Sequence, residues 1–154
     1  MQKIYLASDS KARRKLLEIF GLKFTVISSG AAEQMSPRQR SFADLVKHNA
    51  EAKARAAGRR VKDGIIIAAD TIVVDGKRIY GKPRDLADAH RMLKKLSGRS
   101  QWIYSGVAVY DKGRARMRVS YEKTRIHMDA LTDKEIDAYF SYVSPLDKAG
   151  SFDI

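Results

Sequence analysis

The 154-residue sequence has no cysteine. That absence excludes a disulfide framework, a thiolate zinc site and a cysteine nucleophile. Long apolar runs are missing too. The longest stretch free of polar side chains is Gly64–Ala69, too short to span a bilayer. The residues before Ser8 are too few for a secretory signal, so a soluble, cytoplasmic protein is expected. Histidine is scarce: His48, His90 and His127 are scattered without ligand spacing, which argues against a histidine metal site. No His/Asp set accompanies the serines to form a nucleophilic triad. No repeat, low-complexity tract or Pro/Gly/Ser linker divides the sequence, and its length predicts one domain over 1–154.

Acidic residues are in deficit. Thirty Lys and Arg against 18 Asp and Glu give a formal charge of +12, which favours encounters with polyanions. The charge does not choose among nucleic acid, anionic lipid and phosphorylated metabolite. Basic clusters are short (Arg13–Lys15, Arg59–Arg60, Lys94–Lys95), and stacking aromatics are not interleaved with them as in RNA-recognition surfaces.

Strand-like and helix-like segments alternate throughout, predicting an α/β domain with a mixed twisted sheet flanked by helices. Lys3–Ala7 reads as a strand, Ser10 as the cap of a helix with Leu16, Leu17 and Phe20 as its buried stripe, and Phe24–Ile27 as a second strand. Ser41 caps a longer helix whose stripe holds Phe42, Leu45, Val46, Asn49, Ala52, Lys53 and Ala56. Gly64–Ala69 predicts a strand covered on both faces, with Ile72–Val74 and Arg78–Tyr80 as a hairpin around Asp75-Gly76. Asp85 caps a helix carrying Leu86, Ala89, Leu93 and Leu96. Ile103–Tyr110 and Ala115–Met128 follow as strands, then a capping box Thr132-x-x-Glu135 opens a helix to about Val143. From Pro145 onward a loop and a final strand are expected.

Asp70 closes the apolar run Ile65–Ala69, which predicts it at the carboxyl end of a buried strand, the edge where open α/β sheets hold ligands. A carboxylate there can bind a metal or accept a proton; a turn-starting Asp capping its own backbone is the plain alternative. Lys53 falls on an apolar stripe. Either something anionic meets its ammonium, or its stem snorkels to solvent. Ser8-Asp9-Ser10 with Arg13 and Arg14 forms either a phosphate cradle or a simple helix cap. Gly81-Lys82-Pro83 and Asp147-Lys148-Ala149-Gly150 each put a Lys in a turn.

In their joint order these pieces resemble the Maf family of nucleoside triphosphate pyrophosphatases over essentially the whole chain. The resemblance is carried by Leu6-Ala7-Ser8-x-Ser10 with Arg13 and Leu16-Leu17, by Glu33, by Ala52-Lys53-Ala54 and by Ala69-Asp70-Thr71-x-Val73 with Gly81-Lys82-Pro83. Ala89, Met92-Leu93, Ser97-Gly98, Ser105-Gly106-Val107 and Asp147-Lys148-Ala149-Gly150 follow in order. It implies a Maf/ITPase-like fold with the substrate cleft at the strand ends, and cleavage of a nucleoside triphosphate to the monophosphate and pyrophosphate. It also implies a divalent cation, Mg²⁺ or Mn²⁺, held by Glu33 and Asp70, and often a homodimer. Asp70, Lys53, Arg13 and Lys82 would be catalytic, and Ser8, Ser10, Thr71 and Lys148 would bind substrate. Asp70 would orient or deprotonate the attacking water.

Two departures stand out. The family's common Ser-Pro-Arg-Arg reads Ser10-Lys11-Ala12-Arg13 here, and Ala12 matches neither the branch preferring dTTP and UTP nor the branch acting on 7-methyl-GTP. Thr71 resembles the pyrimidine branch. Family chains also continue past Asp-Lys-Ala-Gly into an Ile-Gln-Gly sequence and a terminal strand–helix region, whereas this sequence stops at Ile154, so the base-contacting glutamine is expected to be missing. A nucleic-acid-binding or regulatory protein on the same fold, with weak or lost catalysis, is the rival reading that the +12 charge supports.

Overall fold

The structure is a computed structural model that describes residues 2–36 and 41–153. The element order is β1 (Ile4–Leu6), α1 (Lys11–Ile19), β2 (Thr25–Val26), α2 (Phe42–Gly58), β3 (Ile65–Asp75), β4 (Arg78–Tyr80), α3 (Leu86–Leu96), β5 (Ser100–Asp111), β6 (Arg116–His127) and α4 (Asp133–Tyr142). The strands form one mixed six-stranded sheet in the order β2-β1-β3-β5-β6, with β4 on β3. β1 lies parallel to both β2 and β3, and β4 antiparallel to β3. The fold is therefore α/β, as the alternating pattern predicts. Two compact units are distinguishable: residues 1–70 with 105–122, and residues 71–104 with 123–154.

The first unit is built on α2. Ser41 caps it by accepting from the Asp44 N–H at 3.1 Å, which satisfies one of the open donors of the first turn. Its buried face carries Leu45, Val46, Asn49, Ala50, Lys53, Ala54 and Ala57. The buried stripe thus runs through Ala50, Ala54 and Ala57, while Ala52 and Ala56, expected on it, are half-buried. Ala50, Ala54 and Ala57 pack with Ala7, Ile66, Ala68 and Ala108. Small side chains on both surfaces let helix and sheet approach closely.

The closest approach is at Gly106 in β5, where a Cβ would lie 2.3 Å from the Val46 carbonyl oxygen. Gly106→Ala should therefore push α2 off the sheet and cost about 1–3 kcal/mol, the usual range for overpacking. A lowered denaturation midpoint with an unchanged slope would show it.

β3 alternates along its first half. Ile66, Ala68 and Asp70 are buried, and Ile65, Ile67, Ala69 and Thr71 are half-buried. The expected cover on both faces is thus only partial, and burial becomes continuous at Ile72–Val74. Asp70 is also not at the strand's end, since β3 continues to Asp75. What does end near it is the parallel pairing: β1 registers Leu6 with Ile67, and Ala7 N–H donates to the Ile67 carbonyl at 2.8 Å. Beyond that point β3 pairs with β4, through Val73–Tyr80, Val74–Ile79 and Asp75–Arg78.

α1 departs most from expectation. Ser10 caps it, with its hydroxyl accepting from the Arg13 N–H. None of its residues is buried: Leu17 is half-buried, Leu16 is 55% exposed and Phe20 76%. The helical spacing of apolar residues defines a face but not what covers it, and no described residue buries this one.

In the second unit the core joins Val73, Tyr80, Leu96 and Ile103, with Met92, Met128 and Phe152 packed on it. Asp85 caps α3, accepting from the Asp88 N–H at 2.7 Å. The buried residues of α3 are Ala89, Leu93 and Leu96, whereas Leu86, expected with them, is exposed in the first turn. The Thr132–Glu135 capping box opens α4 as predicted. The final strand does not form among the described residues. Instead residues 149–151 make a single 3₁₀ turn in which Gly150 has φ +70, a conformation that breaks an extended run.

Candidate active site

The alternation of β3 puts Asp70 on the same face as Ile66 and Ala68, the face that packs on α2. The helical period places Asn49 and Lys53 one turn apart on the side of α2 turned to that face. The two patterns meet at a buried ion pair. Lys53 Nζ lies 2.8 Å from Asp70 Oδ1, with only 9% and 4% of the two side chains exposed.

The ammonium makes two further contacts, 2.7 Å to Glu33 Oε1 and 3.2 Å to the Ala69 carbonyl. Its three donors thus each have an acceptor. Of the two readings of Lys53, the structure shows the anionic partner and not the snorkelling stem. Asp70 is likewise no turn cap, because its carboxylate is held by side chains from α2.

Asn49 completes the arrangement. Its Nδ2 donates to Asp70 Oδ2 at 2.9 Å and to the Gln34 carbonyl at 2.9 Å, and its Oδ1 accepts from the Gln34 N–H at 3.0 Å. One buried amide therefore orients Asp70 and clamps the backbone next to Glu33. Asn49 stands on the sequence stripe without being singled out as functional. The available signal was a second polar residue on an apolar helix face, one turn before Lys53.

Arg13 reaches the cluster from α1. One guanidinium nitrogen donates to Ser8 Oγ and to the Ala69 carbonyl, both at 3.0 Å. Burial pulls its pKa below the ordinary arginine value, opposed by the charges of Asp70 and then Glu33. Ser8 Oγ also accepts from the Ser10 N–H at 3.3 Å, so the Ser8–Ser10 turn, the helix start and the guanidinium form one unit.

The structure therefore brings together Ser8, Ser10, Arg13, Glu33, Lys53 and Asp70. Asp70 is buried, whereas Glu33 has 35% of its side chain exposed. Thr71, Lys82 and Lys148 belong to the second unit. There the Gly150 N–H donates to the Gly81 carbonyl at 3.0 Å and ties together the two turns that carry Lys82 and Lys148. Lys82 is exposed, and Lys148 pairs with Asp147 at 2.8 Å.

Two carboxylates and two cations cancel in this cluster, so a polyphosphate bound there needs further positive charge. The Lys53 ammonium lies within 2.8 Å of both Glu33 and Asp70. Such a pair of oxygen donors also fits a hard divalent cation, which takes one or two protein carboxylates and completes its shell with water and substrate phosphate. Among the described residues there is no group of three or more His, Cys, Asp or Glu placed to hold a metal. No helix among the described residues is long and apolar enough to cross a membrane.

A family model described as "Maf-like protein" matches residues 3–154. A protein of Pelotomaculum thermopropionicum named dTTP/UTP pyrophosphatase is 38% identical over 152 residues, covering 99% of this chain and 79% of its own length. Proteins of the same name from Bacillus anthracis and Bacillus cereus are 42% identical over 154 residues, again with 79% of their length covered.

Proposed function

The chain belongs to the Maf-like protein family, and from that premise we propose that it is a nucleoside triphosphate pyrophosphatase acting on dTTP and UTP in the cytoplasm. The observation that carries this reading is the buried Lys53–Asp70 pair with Glu33 on the same ammonium, in a chain 42% identical to a relative named for that activity. Water attacks the α-phosphorus. The new P–O bond forms as the bond to the bridging oxygen breaks, and pyrophosphate leaves.

Asp70 orients the water and takes its proton, held in place by Asn49. Lys53, drawn from Glu33 toward the phosphate, and Arg13 neutralise charge that grows in the transition state. The hydroxyls of Ser8 and Ser10 still have protons to donate to phosphate oxygens. Glu33 and Asp70 would hold Mg²⁺ or Mn²⁺, which when bound supplies the remaining positive charge on the phosphates.

Pyrophosphate release from dTTP, UTP, CTP, GTP and 7-methyl-GTP, with Mg²⁺ and then Mn²⁺, tests the proposal. We expect dTTP and UTP to be turned over at least tenfold faster than the others, and no release without a divalent cation. Folded protein that releases pyrophosphate from none of the five would overturn the reading.

A further inference from the structure

A cavity of about 550 Å³ in the first unit lies beside the cluster just described and is used by none of its steps. Its lining is Ser29, Gly30, Ala31 and Ala32 on one side, and Ala52, Ala56, Arg55, Arg59 and Arg60 on the other. Three of these nine residues carry a guanidinium, none is acidic and none is aromatic. Cations near the end of α2 complement the helix dipole, but that does not require them to converge on a cavity. Two of the three have hydrogen-bond partners within the chain. Arg60 donates to the Ser28 carbonyl at 2.8 Å, and Arg55 is braced by Glu51 at 2.7 Å.

Gly30 makes room for Arg60. A Cβ there would lie 2.8 Å from the guanidinium, and the backbone sits at φ +62. The space that glycine leaves is filled by the Arg60 guanidinium.

We propose that this cavity is a second anion site, one that takes a condensed phosphate: inorganic pyrophosphate or the polyphosphate tail of a nucleotide. Guanidinium forks match phosphate oxygens in pairs; Glu51 neutralises Arg55, so the net positive charge offered to a pyrophosphate comes from Arg59 and Arg60. With no ring to stack on a base, the site recognises the phosphates and not the nucleoside. The volume is in the range of small-ligand pockets. Ala32 and Ala52 directly precede Glu33 and Lys53, so an occupant would sit next to the catalytic cluster. Pyrophosphate as a regulating product is a corollary that rests on the function proposed above.

The test is an NMR titration of the ¹⁵N-labelled chain with inorganic pyrophosphate, without metal. The amides of Gly30 and Ala31 report this site, and those of Ser8 and Ser10 report the catalytic cluster. We expect saturable shifts at Gly30 and Ala31 that weaken at least tenfold in the double variant Arg55→Ser, Arg59→Ser, while the Ser8 and Ser10 response is kept. Arg59→Glu serves as a second variant, and thermal melting checks that each is folded. A parallel titration with dTTP separates the sources: saturation by the free ion, the nucleotide or both upholds the site and names its ligand. Shifts that never saturate, that persist in both variants, or that need a single-stranded oligonucleotide overturn it. Turnover is read separately, so loss of catalysis and loss of this site are distinguishable.

Discussion

Asp70→Asn should lower pyrophosphate release by about 10²- to 10⁴-fold, the usual contribution of a positioned general base. The chain should still fold. The substitution keeps shape and volume but removes the proton acceptor and a negative charge. An amide at position 70 offers one acceptor where the carboxylate offers two, to Lys53 at 2.8 Å and to Asn49 at 2.9 Å. One of those donors then faces an N–H group. Leaving a buried donor unmatched costs about 1–3 kcal/mol, which should appear as a modest fall in denaturation midpoint. Single-turnover rates with dTTP, beside urea melts of both proteins, separate the two effects. A variant that releases pyrophosphate at the wild-type rate would remove Asp70 from the chemistry, and with it the reading of the whole cluster.

The parts of the site that could be read in the sequence share one signature, polarity where the pattern demands an apolar residue. Lys53 on an apolar helical stripe and Asp70 after five apolar residues both conflict with their neighbourhoods, and each conflict is resolved by the other. Their partnership spans 17 residues of sequence, a separation that no local pattern encodes. Only the register of α2 on β3 makes it visible. Asn49 obeys the same rule, but an amide on an apolar stripe is a weaker anomaly than a charge.

The misreadings have a common cause. Periodicity reports the geometry of one element and says nothing of its neighbours. It marks an apolar face on α1 but cannot tell that Leu16 and Phe20 stay exposed. It marks the apolar run before Asp70 but not that β3 carries on to Asp75, because the strand changes partner there from β1 to β4. The 3₁₀ turn at Ala149–Ser151 depends on the bond from Gly150 to Gly81, a contact across most of the second unit's sequence.

Lys53→Met should be the most destabilising single change in the cluster, by about 3–5 kcal/mol, the cost of leaving one partner of a buried ion pair uncompensated. Methionine matches the lysine stem in length, so the loss is chiefly electrostatic. Asp70 would retain Asn49 and the more distant charge of Arg13, while Glu33 would lose its contact at 2.7 Å. The double variant Lys53→Met, Asp70→Asn should be more stable than Lys53→Met alone, since it removes the orphaned charge together with its partner. A coupling of that sign in a urea double-mutant cycle is expected for two groups in contact, and strictly additive losses would show that the pair does not hold the site together. Catalysis should not recover with stability. The double variant should be no more active than Asp70→Asn, because it lacks both the proton acceptor and the Lys53 charge that neutralises the phosphates.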